Sequence, residues 1–541
     1  MKNIISKVFV GVFCASSLFT TTSCIDETFP TTTVTESQLQ SSPKAAEALL
    51  WAIPAYTNKY ASYVGTHYDW GYGSIMHMRD VMTGDFAVVS NNYDQYNYWQ
   101  INSYMGNTYI FSQFVWNYFY PFVQTENNVI SAIDPTNATD AQLGVLGAAL
   151  AYRAMTYLDM AQMFEFLPND KTSNINSSGN DVLNLTVPIV RETTTLDEAR
   201  NNPRAHRNDM AEFILDDLNK AEEYIVHLTL PDKTLPHLDV VYGLKARCYM
   251  WLGDYENAKI YARLAIDNST SKPMTKESAL NTKTGFNQID EWMWGSQMVK
   301  EDDVVQTGIL NWTSWASNET YYGYAGAGPF NMIDASMYAR MSNSDWRKLM
   351  FKAPEEHELS GKESYINEKF GKGLPTYASL KFRPNEGNMN DYDIASASAY
   401  PLMRIEEMYF IEAEAAEHLT AGAGIALLED FMIKNRDAQY KYEPSTNSDV
   451  VVENAGVEEI VFQKRVELWG EGQTFFDIKR LNMSVVRGYT GTNFKPKAQF
   501  NTIGRPAWMN MCIVVTEERN NSALKGYENP DPSDLYTPWT E

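Results

Sequence analysis

The chain has 541 residues, a formal net charge of −24 and a pI near 4.8. A field of that sign repels phosphate backbones, which excludes nucleic acid as a partner. Hydrophobic residues make up 44%, enough for three to four ordinary domains or for one long helical superstructure with a continuous core.

Lys2 and Lys7 form a basic start, and Val8 to Phe19 is an apolar run of 12 residues. That is short of the roughly 20 residues a membrane-spanning helix needs. Thr21-Thr22-Ser23-Cys24 follows, with Thr21 where lipoprotein processing sites usually carry an aliphatic residue. Residues 1–23 therefore read as an export signal, and Cys24 as the first mature residue, carrying the acyl chains of a lipid anchor. Of the other cysteines, Cys14 leaves with the signal, and Cys248 and Cys512 remain. They could pair in an oxidising compartment, but the helical pattern around Cys248 favours a buried thiol. There is no Cys-x-x-Cys or His-x-x-x-His, so neither zinc nor any other cofactor is expected. Glu301-Asp302-Asp303 offers oxygen ligands for a structural calcium, or forms a solvated turn.

Residues 25–42, rich in Thr, Ser and Gln, read as a tether, and helical periodicity begins near Pro43. The stretch from Tyr68 to Tyr104 carries Trp70, Tyr72, Tyr93, Tyr96, Tyr98 and Trp99 and is expected to be loop-rich. Leu146, Leu150, Ala154, Tyr157, Ala161 and Phe164 recur at spacings of four and three, which predicts a helix. Pro168 to Asn184 reads as a loop and Asn208 to Val226 as an amphipathic helix. Tyr242, Ala246, Tyr249, Gly253, Tyr255, Ala258 and Ala265 have the spacing of a tetratricopeptide unit. Residues 268–400 lose periodicity and gather Trp292, Trp294, Trp312, Trp315, Tyr321, Tyr322 and Tyr324, a second loop-rich region. A second helical pair starts near Pro401, and a further helix runs from Val457 to about Trp469.

Two sets of residues carry candidate chemistry. Arg465, Glu467, Glu471, Asp477 and Arg480 could place a carboxylate pair in a cleft, as glycoside hydrolysis requires. The same residues, like Arg404 with Glu406 and Glu407, also suit an ion-pair network, and that structural reading is preferred. The aromatic loops suit ligand capture, because sugar rings stack on Trp and Tyr while amides and charged groups take the hydroxyls. The expected ligand site is Trp99, Asn102, Trp312, Trp315, Tyr321 and Tyr322, with Arg79 or Asp80 as polar support. The competing reading of each ring is simple packing over the helices.

Four blocks together resemble the SusD/RagB family of outer-membrane nutrient-binding lipoproteins. They are Tyr152-Arg153-Ala154 to Pro168 with Val187-Pro188-Ile189-Val190, the tetratricopeptide-like unit, Pro401 to Ala415, and Arg465-Val466-Glu467-Leu468-Trp469-Gly470-Glu471-Gly472 with Phe475 to Arg480. The chain departs from the family pattern at Lys464, at Thr474 and at Phe164-Glu165. The resemblance implies a mostly α fold, a tetratricopeptide-like superhelical scaffold with a loop-rich, aromatic ligand-binding face. It implies a single domain over 24–541, with a helical half at 24–270, a loop-rich insertion at 271–400 and a helical half with a tail at 401–541. It also implies no enzymatic activity, an outward-facing lipid anchor in the outer membrane, and a SusC-like TonB-dependent transporter as partner. The implied ligand is an oligosaccharide. Peptide capture within the same family is the alternative, and a helical glycoside hydrolase is the rival from another class.

Overall fold

The computed structural model describes residues 43–444 and 454–541. The expectations for residues 1–23, for Cys24 and for the tether lie outside the described residues. Helices dominate, as expected. The principal ones are α1 (Pro43–Leu50), α2 (Tyr72–Val81), α3 (Ile110–Ser131), α4 (Asp140–Phe164), α5 (Arg207–Tyr224), α6 (Leu238–Leu252), α7 (Tyr255–Asn268), α8 (Ile405–Leu419), α9 (Ala423–Asn435), α10 (Ala455–Glu467) and α11 (Thr474–Arg480).

α4 is the central helix, 25 residues long and buried on nearly every side. Its start is set by Thr139, which accepts from the Gln142 N–H while the Gln142 side chain accepts from the Thr139 N–H. The pair satisfies two of the donors that a helix start leaves open. Small residues let neighbours close on it: a Cβ at Gly144 would meet the Leu228 backbone at 2.5 Å. α3 packs on α4, α4 on α5, α5 on α6, α6 on α7, α7 on α8, and α8 on both α9 and α10. One hydrophobic cluster runs through this series from Ala46 to Tyr536, and a second, smaller one packs α9 on α8 and α10 through Phe410, Leu428, Phe431 and Ile460.

The two later hairpins use different turn devices. α6 ends at Gly253, whose φ of 75° suits glycine, and Asp254 then accepts from the Asn257 N–H to start α7. Between α8 and α9 the cap comes from the preceding helix. The Glu417 carboxylate accepts from the backbone N–H groups of Gly422, Gly424 and Ile425. Cys248 and Cys512 are both buried and free, and burial pushes the Cys248 thiol up to about 12.

The region expected to be loop-rich around Tyr68–Tyr104 contains α2, every residue of which is buried, and the strand β1 (Phe86–Val88). The insertion after residue 270 is irregular, as expected, but it holds β2 (Trp294–Gln297) and β3 (Asn331–Ile333). β1 pairs antiparallel with β3, setting Phe86 opposite Ile333. β2 pairs antiparallel with β4 (Ala399–Met403), setting Ser296 opposite Tyr400. These two short ladders sew the insertion to both helical halves. Within it, the Asp302 carboxylate accepts from the Val299 N–H, so this acid belongs to a turn.

The residues weighed as a possible catalytic group are paired inside the molecule. Arg404 donates to both oxygens of Glu471 at 2.9 Å and to Glu467 at 3.1 Å, and it pairs with Glu406 at 2.8 Å. Arg436 reaches Glu467 at 2.7 Å, Arg347 reaches it at 3.1 Å, and Lys381 reaches Glu471 at 2.6 Å. Asp345, paired with Arg347 at 2.7 Å, brings the cluster to four cations and four carboxylates. Burial alone would raise the Glu467 carboxyl, but the guanidinium of Arg436 and then that of Arg404 hold it well below the usual carboxylate range.

Removing one member of such a cluster leaves buried charge without a counterion. Glu467→Gln should therefore destabilise the fold by roughly 3–5 kcal/mol at neutral pH. A depressed carboxyl stabilises the fold above its unfolded value, near 4.5, and that stabilisation is lost as pH falls through the folded value. The gap between wild type and variant in chemical denaturation should thus be full at pH 7 and should narrow only in acid below about 4.5. A variant that melts with wild type at pH 7 would show that the cluster is dispensable.

Candidate ligand-binding site

Six of the eight residues expected to meet a ligand lie in the interior, and as direct surface contacts they are corrected here. Arg79 donates to Asp159 at 2.8 Å and to the Tyr72 hydroxyl at 3.1 Å, and its guanidinium lies 4.5 Å from the Phe476 ring centre. Asp80 accepts from the Gly472 N–H at 3.0 Å, and burial raises its carboxyl well above the usual range. Trp99 is 1% exposed and sits edge-to-face on Tyr68 and Phe111, with centroids at 5.0 and 4.7 Å. The Asn102 amide donates to the Pro532 carbonyl at 2.7 Å, which ties down the C-terminal tail. Trp312 stacks on Tyr400 at 5.0 Å, and Trp315 stacks on Tyr324 at 4.2 Å. Trp99 and Trp315 do converge, since both touch the Tyr96 ring, but inside the core. The physical reason is area: an indole buries more apolar surface than a phenol, so packing claims it first.

Tyr321 and Tyr322 keep open surface. Tyr321 is exposed and leans edge-on against Phe370, while the Tyr322 hydroxyl shares a hydrogen bond with Ser396 at 2.9 Å.

A cleft of about 760 Å³ opens elsewhere, between the segment after β1 and a turn near the C-terminus. Its walls carry the amides Asn91, Asn92, Gln95 and Asn97, the rings of Tyr98 and Phe111, and the ammonium groups of Lys495 and Lys497. That volume lies in the range of small-molecule sites. The loop is shaped by short local bonds. Asn91 accepts from the Tyr93 N–H at 2.8 Å, and Asp94 accepts from the Tyr96 N–H at 3.1 Å. The other Asp94 oxygen takes a 2.7 Å bond from Lys495.

Arg487 holds both ends of this loop. Its guanidinium donates to the carbonyls of Val81, Thr83 and Gln100 at 3.0, 2.8 and 2.7 Å. All three partners are neutral, and burial pulls the group down to about 9.

A row of tyrosines leads away from the cleft. Tyr98, 40% exposed, meets Tyr104 at 5.1 Å, and Tyr104 meets Tyr109 at 5.1 Å, both edge-on. Tyr104 is 44% exposed and has a φ of 61°, a conformation that a bulky side chain rarely adopts.

Two of the other cavities are less suited to a sugar-sized ligand. The cavity lined by Asp477, Arg480, Asp159 and Glu407 measures about 30 Å³, room for about two waters. That is too small for the substrate of a glycoside hydrolase. A shallow surface depression of about 640 Å³ near Thr193, Thr194 and Asn201 has no aromatic ring in its walls.

Sequence reasoning passed over the loop Ser90 to Asn97. The available signal was its four amides interleaved with Tyr93 and Tyr96 in eight residues. Attention to the largest rings favoured the tryptophans next door.

The sequence model of the SusD family matches residues 246–529. Several solved structures share the fold. A SusD-like carbohydrate binding protein from Bacteroides vulgatus is 22% identical, with a TM-score of 0.67 over 90% of this chain and 98% of its own. A SusD superfamily protein from Bacteroides thetaiotaomicron is 18% identical, with a TM-score of 0.65 over 90% of this chain and 100% of its own. Surface glycan-binding protein A from Bacteroides thetaiotaomicron, solved in complex with laminarihexaose, is 16% identical, with a TM-score of 0.59 over 90% of this chain and 99% of its own. Comparison with the curated proteins finds no match.

The assignment of Trp99 to the core and of Tyr104 to the surface predicts opposite behaviours. Trp99→Ala should cost roughly 3–5 kcal/mol of stability, the range for a large buried ring. Tyr104→Gly should leave the melting temperature unchanged or raise it, since loss of the Cβ relieves the strain of a positive φ. Thermal melts of the two variants decide the matter, and a Trp99→Ala protein as stable as wild type would refute the buried assignment.

Proposed function

Because the chain belongs to the SusD family, we propose that it captures glycans at the cell surface and delivers them to a SusC-like TonB-dependent transporter. It does so as a binder without turnover, held to the outer membrane by a lipid on Cys24. The observation that carries the ligand reading is the 760 Å³ cleft, whose walls set amides beside an exposed tyrosine and continue into a tyrosine row. Sugar binding needs flat rings for the C–H faces of a pyranose and paired donors and acceptors for its hydroxyls. Asn and Gln side chains present both, and they gain on binding only what the sugar loses in leaving water. The relative solved with laminarihexaose supports the choice of a glycan. A binder also fits the placement of the acids, since Glu467 and Glu471 are bonded to arginine and lysine and face no open cleft.

Titration calorimetry with laminarihexaose and a panel of other oligosaccharides tests the site. Against the best ligand, Tyr98→Ala should weaken binding by roughly 1–3 kcal/mol, as for a central aromatic contact. Asn92→Ala should give a smaller loss, because its exposed amide is partly replaced by water. If Tyr98→Ala and Asn92→Ala both keep wild-type affinity, the cleft is not the site. If peptides bind and no oligosaccharide does, the ligand class is wrong.

Extraction of the native chain in mild detergent tests the anchoring. The mass of the recovered protein should equal the chain from Cys24 onward plus its acyl groups, and a barrel-sized transporter should co-purify. An unmodified N-terminus at another residue would remove the anchor from the proposal.

A further inference from the structure

The electrostatics of the cleft run against those of the molecule. The chain carries 44 basic and 68 acidic residues, yet the cleft walls hold two ammonium groups and one carboxylate. The carboxylate is already used, because Asp94 pairs with Lys495 at 2.7 Å, and both side chains of that pair are largely covered. Burial raises the Asp94 carboxyl, and the Lys495 ammonium opposes that rise. Lys497 is different. It lies two residues on, exposed, and among the described residues it has no hydrogen-bond or ion-pair partner. The surface depression near Thr193, Thr194 and Asn201 carries Arg191 against Asp197 and Glu198. The cleft beside Tyr60 carries Lys59 against Asp232, Asp302 and Asp303. Both of these have an excess of acid, like the protein as a whole; the cavity beside Trp346 sets Lys276, Lys434 and Arg436 against Glu277 and Asp437, but Asn435 is the one side-chain amide in its walls.

From this we infer that the cleft is built for an anionic glycan, one whose sugar units carry a carboxylate or a sulfate ester, with Lys497 as the group that meets the charge. The inference rests on the cleft being the glycan site and names the chemical class of its ligand. The length scale favours it. At physiological salt, charges further apart than about 8 Å are largely screened, so the net charge of −24 is felt weakly inside the cleft and the local cation dominates. The neighbouring amides of Asn92 and Asn97 then serve the hydroxyls of the same unit. A neutral glycan would gain only a hydrogen bond from this ammonium, whereas an anionic one gains the charge pairing as well.

Matched pairs of probes test this. Short oligogalacturonates are compared with the same chains methyl-esterified, and sulfated galactan fragments with their neutral desulfated forms, by titration calorimetry at low and high salt. At least one charged member should bind about three- to tenfold tighter than its neutral counterpart at low salt, with the ratio shrinking as salt rises. Lys497→Ala should bring the ratio close to one, while Lys497→Arg should keep it. Equal affinity for charged and neutral members, or a preference that survives Lys497→Ala, overturns the inference. So does a protein that binds neutral glycans and neither anionic probe. In those cases the site itself stands if Tyr98→Ala still weakens the neutral ligand. A protein that binds no member of either pair and no neutral oligosaccharide loses both the inference and the glycan reading.

Discussion

The charge-balanced cluster around Glu467 and Glu471 is the constraint on which the rest of the structure depends. Arg404 stands at the start of α8, Arg436 at the end of α9 and Glu467 at the end of α10, while Arg347 and Lys381 come from the insertion. Burying so many ions is costly, and the cost is offset only when every partner is present with good geometry. The cluster meets that condition by also using backbone carbonyls: Lys381 donates to those of Glu467 and Trp469, and Arg404 donates to that of Glu467. Five separated stretches of chain must therefore meet at one point or leave charge unpaired. A helical stack held by hydrophobic contact alone could slide, whereas this one has a fixed register.

The same segment transmits that register to the surface. Directly beyond the cluster, the Trp469 indole donates to the Asp85 carbonyl at 2.9 Å, and the Gly472 N–H donates to Asp80. Just before it, Arg465 pairs with the Asp85 carboxylate. Residues 80–85 are thus fixed from the helical half immediately before β1 and the cleft loop. Arg487 then clamps the carbonyls on either side of the loop, and Lys495 pins Asp94 within it. The route from the ionic cluster to the cleft runs through hydrogen bonds and paired charges, with little help from loop packing. This explains how eight residues rich in Asn and Tyr hold a shape without a regular element of their own.

The helical frame was legible because its signals are local. The stripe ending at Phe164, the Gly253-Asp254 break and the repeated pair after Pro401 each appear within a turn or two of chain, and each became a helix or a helix boundary. β1, β2 and β3 were not legible. Each has four residues or fewer, and each exists only because a partner more than 100 residues away supplies the ladder. The site was misread for a related reason. Trp99 and Tyr98 are neighbours with the same composition around them, yet one faces Tyr68 and Phe111 and the other faces open solvent. Which face points inward in a short, irregular stretch is decided by tertiary contacts, and no periodicity announces it. The preference for the structural reading of Arg465, Glu467, Glu471, Asp477 and Arg480 rested on firmer ground. It followed from the family resemblance, in which this block is structural, although the structure divides the five residues between α10, the turn after it and α11 where one helix was expected.

The positions where this chain departs from the family pattern show what the scaffold tolerates. Lys464, in place of the usual acid, pairs with Asp477 at 3.0 Å, and Asp477 in turn pairs with Arg480, which reaches Glu414 on α8 at 2.6 Å. The substituted charge is absorbed because it gains a partner within the same buried chain of ions. Thr474, where the family usually has arginine, is buried and neutral and so leaves no ion to be matched. Both changes respect one rule: a buried charge is either paired or removed. The fold itself is shared at 22% identity with a TM-score of 0.67. Side chains can be exchanged widely in the interior so long as apolar volume and charge pairing are kept. Lys497 itself takes part in no ion pair among the described residues, unlike Lys495 two residues before it, so its chemistry can follow the ligand without disturbing the frame.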